Sequence, residues 1–178
     1  MTIIGFASGL IMFNSIALLF FPLFMALAAT SDLLTMKISN RLVLLLMAGF
    51  FVLALVLDFS LQQFMMHIAA GALVLVFAFA FFAFGWIGGG DAKLAAATSL
   101  WLGFGITLPY LVYSALLGGI LTIGLLLIRR YPLPAMLGRV EWIARLHDQK
   151  TGIPYGIALA VAGLIAYSDT SIFQNLIA

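Results

Sequence analysis

Two aspartates carry the chemistry this chain could perform. Asp32 lies in AATSDLLTMKISNRL (28–42) and Asp91 in GWIGGGDAKLAA (85–96). Carboxylates brought together have a definite reactivity. Two close acids do not both ionise easily, so one keeps a proton while its neighbour stays charged. The charged one can take a proton from water. The protonated one can hydrogen-bond the carbonyl of the bond to be cut. Water then attacks without a covalent enzyme intermediate, and neither a metal nor a nucleophilic serine is needed. The same pair could instead relay protons or cations across a membrane. Cysteine is absent, which removes disulfides, CxxC zinc sites and thiol nucleophiles. Two histidines, His67 and His147, are too few for a histidine metal cluster.

Asp91 follows three consecutive glycines, Gly88, Gly89 and Gly90. Each weakens a helix by roughly 1 kcal/mol relative to alanine. Glycine also removes side chains, so another backbone can approach closely. A peptide held extended for cleavage needs that approach.

The elements that must position these residues follow from composition. Of the 178 residues, 65% are hydrophobic and 8% charged, against roughly 25% charged in a soluble domain. Long uncharged runs point to membrane helices of about 20 residues each. The polar breaks predict an all-α integral membrane protein of six spans, forming one domain over 1–178. The spans are 2–31, tilted or kinked at Pro22, then 42–57, 64–86, a short 94–107 closed by Leu108-Pro109, 110–128, and a sixth starting at Pro154 and running to about Tyr167. ALAAT (26–30) contains an A-x-A pattern, but it lacks a preceding basic region and its apolar stretch is too long for a signal peptide.

Charge gives the orientation. With six spans, the connections 32–41, 85–93 and 129–153 lie on one face. All eight basic residues fall there: Lys37, Arg41, Lys93, Arg129, Arg130, Arg139, Arg145 and Lys150. The other face has only Asp58 and Asp169, read as ordinary loop residues. The basic face is therefore cytoplasmic and both termini are outside. The net charge of +2 is a topology signal and not a nucleic-acid site. Asp32 and Asp91 return to similar depth on this same face. A relay needs acids near the midplane and a path to both faces, so the shared face favours hydrolysis over a transporter or channel component.

Three segments together resemble one family. GGGDAKL (88–94) is similar to the GxGDxKL form of the type IV prepilin peptidases, a group of GxGD aspartyl proteases. SDLLTMKISNRL (31–42) resembles that family's D-x5-I-P-N segment, with Ser39 in place of the proline. GIPYGIAL (152–159) resembles its C-terminal iPyG segment. The order and spacing agree across most of the chain. The resemblance implies removal of the basic leader from prepilins or pseudopilins at the cytoplasmic face of the bacterial inner membrane. It implies Asp32 and Asp91 as the catalytic pair, Gly88 and Gly90 as motif glycines, and no cofactor or metal. Longer members carry an N-terminal extension with cysteines and also N-methylate their product. By its start and its lack of cysteine, this chain is expected to be the short, peptidase-only form that serves Flp or Tad-type pili.

Supporting residues have two readings each. Lys93 either attracts an acidic substrate group and tunes Asp91, or snorkels to the interface. Asn40 and Arg41 either brace the Asp32 loop or serve capping and topology. Trp86, Trp101, Tyr110 and Trp142 are read as interfacial or packing aromatics. In the connection 129–152, apolar Met136, Val140 and Ile143 recur opposite Glu141 and Arg145. This predicts one amphipathic helix over 136–146 on the cytoplasmic leaflet, anchoring the loop or guiding the leader.

Overall fold

A computed structural model of the chain describes residues 2–177, with side chains described from residue 12. Every described element is a helix. α1 (Thr2–Thr35) continues through Pro22 and past the expected boundary, so Asp32 sits in its last turn and not in a polar loop. The chain then reverses within 36–39. Met36 takes a φ of 55°, and Ser39 starts α2 (Asn40–Val56) by accepting the Leu42 N–H at 3.2 Å. That hydroxyl cap is work a proline could not do.

α3 (Leu61–Ala83) opens on a capping box between Ser60 and Gln63. α4 (Gly89–Leu102) follows, then α5 (Phe104–Ile128). The expected fourth span ended at Pro109, but the break falls earlier. Gly103, with φ of 70°, makes the turn, and Pro109 is absorbed inside α5. A side chain at 103 would be strained in this conformation. It would also meet the His67 ring at 3.0 Å. His67 itself donates from Nδ1 to the Leu100 carbonyl at 2.8 Å.

α4 is the centre of the bundle. Ala92 and every residue from Leu94 to Leu102 are buried, the pattern of a helix enclosed on all sides. It packs against α2, α3, α5 and α8 (Tyr155–Tyr167). Small residues allow this. At Gly71 of α3, an added Cβ would lie 3.1 Å from Leu100 Cβ and 3.2 Å from the Ala96 carbonyl. α2 and α3 face inward on helical stripes, Val43, Leu46, Phe50, Leu53 and Ala54 in one, His67, Ala70, Gly71, Val74 and Ala78 in the other. The far end of α4 is plugged by Trp101. Its ring lies 5.3 Å from Phe21 and 6.1 Å from Phe50, and its Nε1 donates to the Leu46 carbonyl at 2.9 Å.

Among the described residues, three helical stretches are long and apolar enough to cross a membrane alone: Met12–Thr35, Leu61–Ala83 and Phe104–Ile128. α8 and α9 (Ser171–Ile177), bent by 52° at their junction, would make a fourth. At 17 and 14 residues, α2 and α4 match the short lengths expected of these spans and fall below the about 20 residues of a full membrane helix. The expected amphipathic helix over 136–146 is divided. α6 (Ala135–Gly138) and α7 (Glu141–His147) are separate, broken at Arg139 and Val140. Two turns that short leave no continuous apolar face.

Candidate active site

The site is built where α1 ends and where α4 and α8 begin. Asp32 is buried in the last turn of α1. Its Oδ2 accepts the Gly156 backbone N–H at 2.7 Å. Gly156 is the second residue of α8, and the first N–H groups of a helix have no partner within it. Asp32 thus closes the start of α8, where a negative charge also meets the positive end of the helix dipole. Glycine is required here by space. A Cβ at 156 would stand 2.8 Å from Asp32 Oδ2, 2.8 Å from Ile38 Cδ1 and 3.0 Å from Asp32 Cβ.

Asp91 is the third residue of α4, and Gly88 is its N-cap. Its carboxylate turns back toward the Gly88 N–H, which is half of a capping box. The three glycines have distinct neighbours. At Gly88 an added Cβ would meet Asp91 Oδ2 at 2.8 Å, at Gly89 the Phe82 ring at 3.2 Å, and at Gly90 the Ile38 Cβ at 3.2 Å. Gly89 and Gly90 are helical, so the expected loose spot is the first turn of α4. The space at Gly90 is filled by Ile38 of the same chain.

Ile38 therefore lies close to both Gly90 and Gly156. Asp32 and Asp91 are close enough for their charges to interact. Lys93 is exposed and donates from Nζ to Asn40 Oδ1 at 2.9 Å, tying α4 to the start of α2. Asn40 thus links the two aspartate segments. Asp58 and Asp169 are exposed at the opposite ends of α2 and α8. Asp91 also borders a cavity of about 540 Å³ between α3, α5 and α8, whose walls include Val74, Phe77, Leu111, Tyr155 and Leu159. An apolar cavity with a few convergent polar groups is the usual form of a binding site. Among the described residues, no three His, Cys, Asp or Glu side chains converge as a metal site would need.

The model of the type IV leader peptidase family matches residues 19–123, which include both aspartates. The chain belongs to the type IV leader peptidase family. The resemblance read from the aspartate segments is borne out, while the iPyG segment lies beyond the matched stretch. Curated relatives agree. A prepilin leader peptidase/N-methyltransferase of Aeromonas salmonicida is 39% identical over 80 residues, which is 45% of this chain and 22% of that protein. The protein of the same name from Aeromonas hydrophila is 38% identical over 80 residues, again 45% and 22%. That of Xanthomonas campestris pv. campestris is 33% identical over 81 residues, 46% and 23%. The match spans less than a quarter of these relatives' length. No solved structure matches the chain.

Within this leader peptidase family member, sequence reasoning misses four contributors. Ile38 was only one letter of a segment, although its spacing from Asp32 is part of the family pattern. Gly156 carried no role until its N–H met Asp32. Arg129 and Arg145 were counted as topology charges, yet both hold backbone carbonyls in this region.

Proposed function

We propose that this protein is a membrane aspartyl endopeptidase that removes the leader of type IV prepilins or pseudopilins. The observation that carries the proposal is that Asp32 and Asp91 lie at one end of the bundle within range of each other's charge, Asp91 beside an apolar cavity. In this reading the pair shares a proton. The ionised carboxylate takes a proton from water, whose oxygen attacks the scissile carbonyl carbon. The protonated carboxylate hydrogen-bonds the carbonyl oxygen as negative charge develops there. The resulting tetrahedral intermediate collapses as the leaving amine gains a proton and the C–N bond breaks. Neither aspartate becomes covalently attached.

The proposed setting is the bacterial inner membrane, with the site at its cytoplasmic face. Six crossings are counted if the shorter α2 and α4 are completed by thinned bilayer and flanking residues. Both termini then lie outside. Supporting this, seven of the eight basic residues lie in or within two residues of the segments 36–39, 84–88 and 129–154, and the eighth, Lys93, is hydrogen-bonded to Asn40 at the start of α2. The test is co-expression with candidate prepilins from the same genome. Leader removal read as a mass loss supports the assignment. Unprocessed prepilins in every pairing, with the enzyme inserted, would refute it.

A further inference from the structure

Arg129 ends α5 at the same end of the bundle as the aspartates. A cation that only marks a membrane boundary stretches its head into water. The adjacent Arg130 is exposed, but Arg129 is only 7% exposed. Its guanidinium is spent on backbone. Nε donates to the Leu146 carbonyl at 2.8 Å, Nη1 to Thr151 at 3.2 Å and Nη2 to Gly152 at 3.0 Å. Burying a charge is costly unless its hydrogen bonds are met, and here three carbonyls meet them, one at the end of α7 and two in the loop that follows it. A planar fork with five donors can do this, whereas a lysine ammonium is a compact point charge.

The loop so held leads directly into the site. Gly152 is followed by Ile153 and Pro154, whose ring fixes its φ, then by Tyr155 and Gly156, whose N–H meets Asp32. The same loop is fastened at its other side. Arg145 of α7 donates from Nη1 to the Leu34 carbonyl at 2.7 Å, two residues beyond Asp32. The end of α1, α7, the 148–152 loop and the start of α8 thus form a closed circuit, with Arg129 bridging α7 and the loop.

We propose that Arg129 is a positioning residue: its guanidinium fixes the 148–152 loop to the end of α7 and so sets the Gly156 N–H on the Asp32 carboxylate. It touches no substrate in this account. The inference about catalysis rests on the peptidase reading, whereas the inference about the loop does not.

The experiment compares wild type with Arg129→Met, Arg129→Lys and, as control, Arg130→Met, all purified in detergent. Two quantities are read: steady-state cleavage of a prepilin, and amide hydrogen exchange across 150–157. Arg129→Met should lower kcat about 100-fold, the size of effect expected from a displacement near 1 Å, with KM little changed. Exchange across 150–157 should quicken. Arg129→Lys keeps the charge but not the fork, and should fall between the two on both measures. Arg130→Met should match wild type. Should Arg129→Met fail to insert, Arg129→Lys gives the same two readings. Unchanged exchange across 150–157 in the Arg129 variants would overturn the proposal, as would unchanged kcat. If wild type cuts no prepilin, the peptidase reading fails, and the exchange measurement alone still decides whether Arg129 holds the loop.

Discussion

Replacing Gly156 with alanine separates two opposed effects. Alanine favours a helix over glycine by about 1 kcal/mol, and residue 156 has an ordinary helical backbone, so local propensity predicts a more stable protein. Packing predicts the reverse. The new Cβ would lie 2.8 Å from Asp32 Oδ2 and 2.8 Å from Ile38 Cδ1, closer than real Cβ contacts permit. Overpacking of this kind costs about 1–3 kcal/mol. If the carboxylate retreats, its hydrogen bond to the 156 N–H is weakened, and a bond to a charged group is worth about 1.5–3 kcal/mol. The balance is a net loss of about 1.5–5 kcal/mol. Catalysis should suffer as well, because a shift near 1 Å at Asp32 lowers the rate about 100-fold. Thermal unfolding in detergent and steady-state cleavage of a prepilin would measure both. Ile38→Val removes the Cδ1 atom that the new methyl strikes. The double variant should therefore recover part of the loss, a coupling typical of residues in contact. If Gly156→Ala is more stable than wild type and cleaves normally, the glycine is not there to seat Asp32, and this description of the site is wrong.

Trp101→Ala should lower stability by about 3–5 kcal/mol, since its ring is fully buried at the far end of α4, while folded protein still cleaves; a melt in detergent with matched activity checks both. Lys93→Met and Asn40→Ala each remove one end of an exposed hydrogen bond worth about 1 kcal/mol, so each should shift stability slightly and the double variant should be no worse than the larger single. Cleavage should persist in strong chelators, and its loss with recovery on added zinc would overturn the two-carboxylate mechanism. Reporter fusions after Leu61 should read as outside and those near Ser39 and Leu137 as cytoplasmic; the reverse pattern would remove the proposed orientation.

Much of the site was legible because its chemistry is written in short segments. Asp32 and Asp91 stand out in a chain with six acidic residues, and the glycines beside Asp91 mark a place where backbone must come close. The all-helical character followed from long uncharged runs. What could not be read was how those runs share the space. α4 looks like a short ordinary span, yet its small residues, Ala95 to Ala97 with Thr98 and Ser99, let it sit enclosed at the centre. Apolar periodicity does not distinguish a lipid face from a protein face, because both are apolar. The sequence places the break between α4 and α5 at Leu108-Pro109, the stronger local signal, but it depends on Gly103 and the His67 ring against it, residues 36 apart in sequence. Within the connection 129–152, the 3.6-residue pattern predicts one amphipathic helix over 136–146. The pattern missed that Arg145 and Arg129 are committed to carbonyls on α1 and in the loop itself, contacts that no local window contains.

The central claim is that Asp32 and Asp91 act as one hydrolytic unit. The direct measurement is cleavage of a partner prepilin by purified Asp32→Asn, Asp91→Asn and the double variant in detergent, where no ion gradient exists, with Asp58→Asn and Asp169→Asn as controls. Leader removal is read by mass at matched enzyme concentration. Both single variants should be inactive, the double should be no worse than either because groups acting together are non-additive, and the two controls should cut nearly as wild type does. Wild-type activity should fall on both sides of a pH optimum, with two apparent pKa values that belong to the pair. Near-normal cleavage by either Asp32→Asn or Asp91→Asn would contradict the account.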